Sequence, residues 1–353
     1  LKHRSTVVEA TLGSYSAESR VTSISYSADD KRLAVATIDR VISIYNDQGD
    51  RVDRINTKPK DKGPKTYILT GIAFAPELEQ YKLGCAQSDN IVMVYKWTLD
   101  STDSSCVWNG KKSICNKFSE NCSVVAFEWP KRRPHEVVYG LADGTVKVGR
   151  LKANKSKTLY KAGSAVVSMS SDPSGKNALS AHLDGSIYAG SIHEASCIKI
   201  IQQSSPAYVL AWSDSICAGD ETRLTFYDPN GQKEACFDFD ETCGDGMDLG
   251  YLSVAAFNDS GDAVFVGGFN GFVNLSKTES EWVRSTPTKI GNIYGITAIS
   301  WKGNGSCLSF GTSSGMIDSY SVCLSRYLKH HLEITHASTS LVMIQNNNFP
   351  DSS

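Results

Sequence analysis

The chain has 353 residues, of which 41% are hydrophobic and 21% charged, and it carries a net charge of −2 at neutral pH. This is the composition of an ordinary folded globular protein. The near balance of charge excludes a dominating field for nucleic acid or an anionic membrane and leaves room only for local patches.

In chain order, one cassette recurs. It is a short apolar strand ending in an aromatic, a polar turn, a strand running into small residues, a tight polar turn and a third alternating strand. It reads VTSISYSADDKRLAVATIDRVISIYN from Val21, ILTGIAFAPELEQYKLGCAQSDNIVMVYKW ending at Trp97, and VVAFEWPKRRPHEVVYGLADGTVKVGRL ending at Leu151. The next two are VVSMSSDPSGKNALSAHLDGSIYAGSI, ending at Ile192, and the short YVLAWSDSICAGDETRLTFYD, ending at Asp228. The last two are LSVAAFNDSGDAVFVGGFNGFVNLS from Leu252 and ITAISWKGNGSCLSFGTSSGMIDSYSV from Ile296. First-strand aromatics mark the register at Tyr26, Phe74, Trp129, Trp212, Phe257 and Trp301, with Ser171 in the fourth slot. The period of two inside VISIY and IVMVY is that of a sheet, and repeats of ~40–45 residues built this way are propeller blades.

The sequence therefore predicts an all-β, seven-bladed WD40-type β-propeller over residues 1–331. Structural turn residues are expected at Asp39, Asp89, Asp143-Gly144, Asp184-Gly185 and Asn270-Gly271, where the second strand reverses into the third. Asp-Gly and Asn-Gly suit a type I′ turn, which needs two positive φ angles. Outer strands are expected at RVDRINT, KKSICNKF, KTLYKA, CIKIIQQ, KEACFDF and EWVRSTPTKI. For the seventh blade, KHRSTVVEAT and RYLKHHLEI compete. The first is preferred, because an N-terminal strand closes the ring without an open edge. The stretch 332–353, with a strand-like LEITHASTSLVMIQN, is expected to be an extension that opens a second propeller.

Ten cysteines without a CxxC pair, several inside apolar runs (Cys85, Cys217, Cys307), are expected to be reduced thiols behaving as small hydrophobes. No apolar run approaches the ~18 residues of a membrane span. No nucleophile elbow, phosphate loop, HExxH or zinc spacing is present, so neither an enzyme nor a cofactor or metal is expected. The acidic FDFDETCGDGMDLG is expected to be a solvated loop, and His330-His331 would point to opposite faces of a strand. Basic clusters are the candidate partner-binding residues: Lys58, Lys60, Lys62 and Lys65 in one loop, and Lys131, Arg132 and Arg133 in a hairpin.

Beyond the cassette, DRVISIYNDQGDRVDRINTKP, QSDNIVMVYK, KKSICNKF, GLADGTVKVGRLKANKSKTLY, PAYVLAW and IGNIYGITAISW resemble the N-terminal propeller of the coat-like WD-repeat subunits of intraflagellar transport complex B. The Trp-Asp and Gly-His pairs of standard repeats are missing. The resemblance implies a non-catalytic docking scaffold for transport along the axoneme and cilium assembly. Implied partners are other complex B subunits, notably the calponin-homology domain of the 57-kDa subunit, and the implied locations are cytoplasm, basal body, axoneme and ciliary tip. A coat-like module touching anionic vesicle or ciliary membrane is the alternative expectation.

Overall fold

The computed structural model describes residues 2–8, 20–61, 66–78, 81–98, 111–240, 249–279, 281–285, 288–289, 295–321, 325–329, 332–338 and 341–346. Among these residues all regular structure is strand, arranged as seven antiparallel blades. The innermost strands are Val21–Tyr26, Leu69–Phe74, Val124–Glu128, Val166–Ser171, Val209–Trp212, Leu252–Phe257 and Ile296–Trp301. Each cassette folds outward from its innermost strand, and the outer strands fall where expected in blades one to five. In blade six the outer strand is broken into Trp282–Arg284 and Thr288–Lys289, both paired with Gly271–Lys277. In blade seven Lys2–Val8 pairs antiparallel with Ile317–Ser321, so the ring closes with the N-terminal strand as expected. The competing segment lies elsewhere: Ser325–Lys329, Leu332–Ser338 and Leu341–Asn346 form a separate three-stranded sheet.

The core lies between blades rather than at one centre. Ile42 and Ile44 of blade one pack with Leu83, Met93 and Trp97 of blade two, and Phe226 of blade five packs with Val264, Leu275 and Trp282 of blade six. Burying such side chains is worth roughly 1.5–3 kcal/mol each, so every blade is stabilised chiefly by its neighbours. The inner strands also exchange hydrogen bonds through hydroxyls. Ser23 and Ser25 accept from Ile72 N and Phe74 N, and Ser170 accepts from Trp212 N. Thr297 and Ser253 donate to the carbonyls of Val21 and Ile296. This explains why the first strands alternate Ser or Thr with aliphatics. Close approach is as demanding: a Cβ at Gly311 would stand 2.4 Å from Val21 Cγ1 of the next blade.

Acidic residues near the ends of outer strands clamp the following blade. Asp53 accepts from Trp97 Nε1 (2.8 Å) and Lys112 Nζ (2.7 Å). Glu120 accepts from Tyr139 Oη (2.7 Å), Ser156 Oγ (3.0 Å) and Lys147 Nζ (2.5 Å). Glu234 accepts from Trp282 Nε1 (3.2 Å) and Lys277 Nζ (3.1 Å).

The reversal from second to third strand is not the type I′ turn predicted from sequence. Gly144 N donates to Leu141 O (3.1 Å), and the positive φ falls on Gly144 alone of the pair (+84°). Arg40 (+68°) and Asn90 (+67°) take the same slot in blades one and two. The aspartate is the physical reason. Its carboxylate accepts the backbone N–H two residues on, Asp39 from Val41, Asp143 from Thr145 and Asp184 from Ser186. That side-chain turn keeps the aspartate in ordinary backbone space and passes the left-handed conformation to the next residue.

Between blades three and four, Ser171 Oγ, in the slot where other blades carry an aromatic, donates to Glu128 at 3.0 Å. Burial pushes the Glu128 carboxyl up to about 7. The unfolded chain releases this proton near pH ~4.3, so between those values the folded state binds more protons and stability falls as pH rises. Glu128→Gln is expected to remove that slope, on the order of 3–4 kcal/mol in total. Urea midpoints at pH 5 and pH 8 check it, and an equal loss in both proteins would refute the assignment.

Candidate docking surface

All seven innermost strands run in the same direction around the axis, so the ring has two distinct ends. One end carries the connections between blades and the turns from second to third strand. The other carries the hairpins from first to second strand. The two basic clusters singled out from sequence lie on opposite ends and do not form one surface.

On the first end, Lys58 is exposed and Lys60 half-buried, while Lys62 and Lys65 lie outside the described residues. Lys60 is largely committed to the fold: its N–H donates to Asp89 Oδ2 (2.7 Å) and its ammonium to Glu120 O (2.7 Å). Asn270 N donates to Leu249 O (2.9 Å) at the turn that leads into Gly271.

On the second end, the hairpin that follows Trp129 is held by Trp129 Nε1 donating to Arg133 O (2.9 Å). Arg133 donates through Nε to Gly175 O of blade four and through Nη1 to Glu136 (2.8 Å), so it works as a fastener between blades. Lys131 reaches Asp259 of blade six at 3.3 Å, with both side chains more than half exposed; an exposed pair of this kind contributes little. Arg132 is exposed and adopts φ +62°. With Arg133, Pro134, His135, Glu136, Arg150 and Lys152 it lines a shallow concavity of about 330 Å³. Glu136 engages Arg133 there and stands 3.5 Å from Arg150 Nε, leaving Arg132 and Lys152 as the cations without a carboxylate partner among the described ion pairs. Lys152 opens the basic run KANKSK, which the sequence also marks as charged, whereas Arg150 is not singled out there; only the fold brings the end of the third strand beside the hairpin. Arginine forks and a lysine around an open concavity suit a carboxylate-bearing partner.

Among the described residues no group of three or more His, Cys, Asp or Glu could hold a metal ion, and no helix is long and apolar enough to cross a membrane. A serine–histidine pair is present but enclosed. His182 Nδ1 donates to Ser164 O and its Nε2 accepts from Ser180 Oγ, both at 2.7 Å, and Ser180 in turn meets Tyr160 Oη at 2.9 Å. Burial lowers the His182 pKa, and both Ser180 and His182 are fully inaccessible. The arrangement is a strand-to-strand lock with no access for substrate. Seven cysteines among the described residues are free, and burial pushes the Cys85 thiol up to about 12. Most of the acidic stretch after Asp240 (241–248), and His330-His331, lie outside the described residues.

The family model described as WD domain, G-beta repeat matches residues 9–46. Among curated relatives, intraflagellar transport protein 172 of Chlamydomonas reinhardtii is 36% identical over 338 residues, covering 92% of this chain and 19% of the relative. The homolog in Mus musculus is 34% identical over 357 residues, covering 98% of this chain and 19% of the relative. Intraflagellar transport protein osm-1 of Caenorhabditis elegans is 30% identical over 352 residues, with coverages of 98% and 19%. The chain thus spans about a fifth of the length of the curated relatives it matches.

Proposed function

Since the chain belongs, over the part of their length that it spans, with the intraflagellar transport protein 172 family, we propose that it is a non-catalytic docking scaffold of intraflagellar transport complex B. It works in the cytoplasm and cilium, from basal body along the axoneme to the ciliary tip. The observation that carries this reading is similarity along nearly the whole ring to proteins named for that transport, joined to a surface that offers docking groups. Its partners are other complex B subunits, the calponin-homology domain of the 57-kDa subunit among them. The basic rim of blade three, with Arg132, His135, Arg150 and Lys152, docks an acidic surface of one of them. The three-stranded sheet from Ser325 to Asn346 opens a second propeller, which a structure of a longer chain would check.

The test is a chimera in which this ring replaces the matching segment of the Chlamydomonas relative. Flagella are expected to assemble to normal length, and complex B subunits to co-purify. A chimera that is stable yet recovers neither would overturn the reading. Arg132→Glu with Lys152→Glu should weaken co-purification of at least one subunit by about tenfold, the loss of one hot-spot contact. Unchanged recovery would remove the rim from the proposal. Arg133 is left intact in this test because it fastens blades three and four.

A further inference from the structure

The opposite end of the ring holds a second surface. Across blades four, five and six it exposes large apolar side chains: Leu183 is 54% exposed, Tyr208 50%, Tyr251 57% and Phe269 52%. Tyr251 and Phe269 meet edge to face with centroids 6.2 Å apart, and Phe269 N donates to Tyr251 O at 3.2 Å. Tyr208 stands at the mouth of the axial channel, which it lines together with Ser168, Val209 and Ser253. Short bonds tie these turns together: Ser205 Oγ to Asp220 (2.8 Å) and Leu252 N to Glu221 O (2.7 Å). A set of exposed large apolar groups on one face, edged by polar ones, is the mark of a surface that another molecule covers.

The edge is acidic. Asp184, Glu221 and Asp240 are exposed and Asp220 and Asp238 half-buried on the same turns. The cation described there, Arg223, is engaged by Asp220 at 3.0 Å. Such a field repels anionic lipid and a second identical face alike, and attracts positive charge. We propose that this acid-edged crescent docks a basic segment of a partner protein, which sets an apolar anchor against Tyr208, Tyr251 and Phe269. The inference rests on the docking-scaffold reading and gives it a second face and a partner chemistry.

The probe is a short fluorescein-labelled peptide alternating lysine and leucine around one tryptophan, compared by anisotropy with its glutamate counterpart. The lysine peptide is expected to bind and the glutamate peptide not. Tyr251→Ser with Phe269→Ser should weaken binding by at least about tenfold. Asp184→Asn, Glu221→Gln and Asp240→Asn together should slow association and flatten its salt dependence. Arg132→Glu with Lys152→Glu, on the other end, should change nothing. Coincident melting curves would show that these surface variants fold. Equal binding to the Tyr251/Phe269 variant, preference for the glutamate peptide, or a dimer abolished by Tyr251→Ser would each overturn the proposal. The two readings separate cleanly: complementing flagella without peptide selectivity rejects only the crescent, and selectivity without complementation rejects only the transport role.

Discussion

Gly175→Ala is expected to destabilise the ring by about 3 kcal/mol, seen as a lower urea midpoint at unchanged slope. Gly175 sits at φ +68° in the first hairpin of blade four, and a Cβ there would stand 1.9 Å from Lys131 O of blade three. The left-handed backbone accounts for ~1–2 kcal/mol. Forcing the hairpins apart adds ~1–3 kcal/mol of overpacking and strains the bond from Arg133 to Gly175 O. Gly305 supplies the control. It shares φ +68°, but its nearest neighbour is Asp259 Cβ at 3.8 Å, so Gly305→Ala should cost only the backbone part. Equal losses at both positions would show that contact between blades three and four at this hairpin carries no weight.

Glu120→Ala is expected to have the larger effect, about 3–5 kcal/mol. The residue is 5% exposed and receives Tyr139, Ser156 and Lys147 of the next blade. Removing the carboxylate leaves a lysine whose side chain is 20% exposed without its counter-charge, and a buried phenol without its acceptor. Lys147→Met added to Glu120→Ala should recover a good part of the loss, because the uncompensated charge is then gone. A double variant as unstable as the single one would assign the cost to lost packing instead.

The ring was largely legible from sequence because its signal is periodic. Tyr26, Phe74, Trp129, Trp212, Phe257 and Trp301 recur at the ends of the first strands, and small residues precede each turn. Even Ser171, which breaks the aromatic series, did not hide the fourth blade. What the sequence does not display is pairing between blades. Nothing in the string links Glu120 to Lys147 or Asp53 to Lys112, since such partners follow no period and depend on how neighbouring sheets twist. The type I′ expectation failed for a local reason, because a dipeptide preference was applied where the aspartate carboxylate forms its own turn. The basic hairpin shows the same limit: KRRP reads as one cluster of charge, yet the fold fastens Arg133 to blade four, sets an exposed Lys131 beside Asp259 and leaves Arg132 exposed on the rim. The crescent of Leu183, Tyr208, Tyr251 and Phe269 is invisible in the chain because its members come from three blades.

The strand Lys2–Val8 that completes blade seven also decides how the ring bears load. Lys2 pairs with Ser321 and Val8 with Ile317, so tension applied between residue 2 and residue 321 meets the ladder from one end. The hydrogen bonds are then loaded one after another, as in a zipper, and not all together in shear. A pull along the chain thus opens blade seven first and at low force, while the other six blades stay outside the path of the load. A scaffold tugged by its neighbours would yield at this seam, and re-closing requires only that one short strand find its place again.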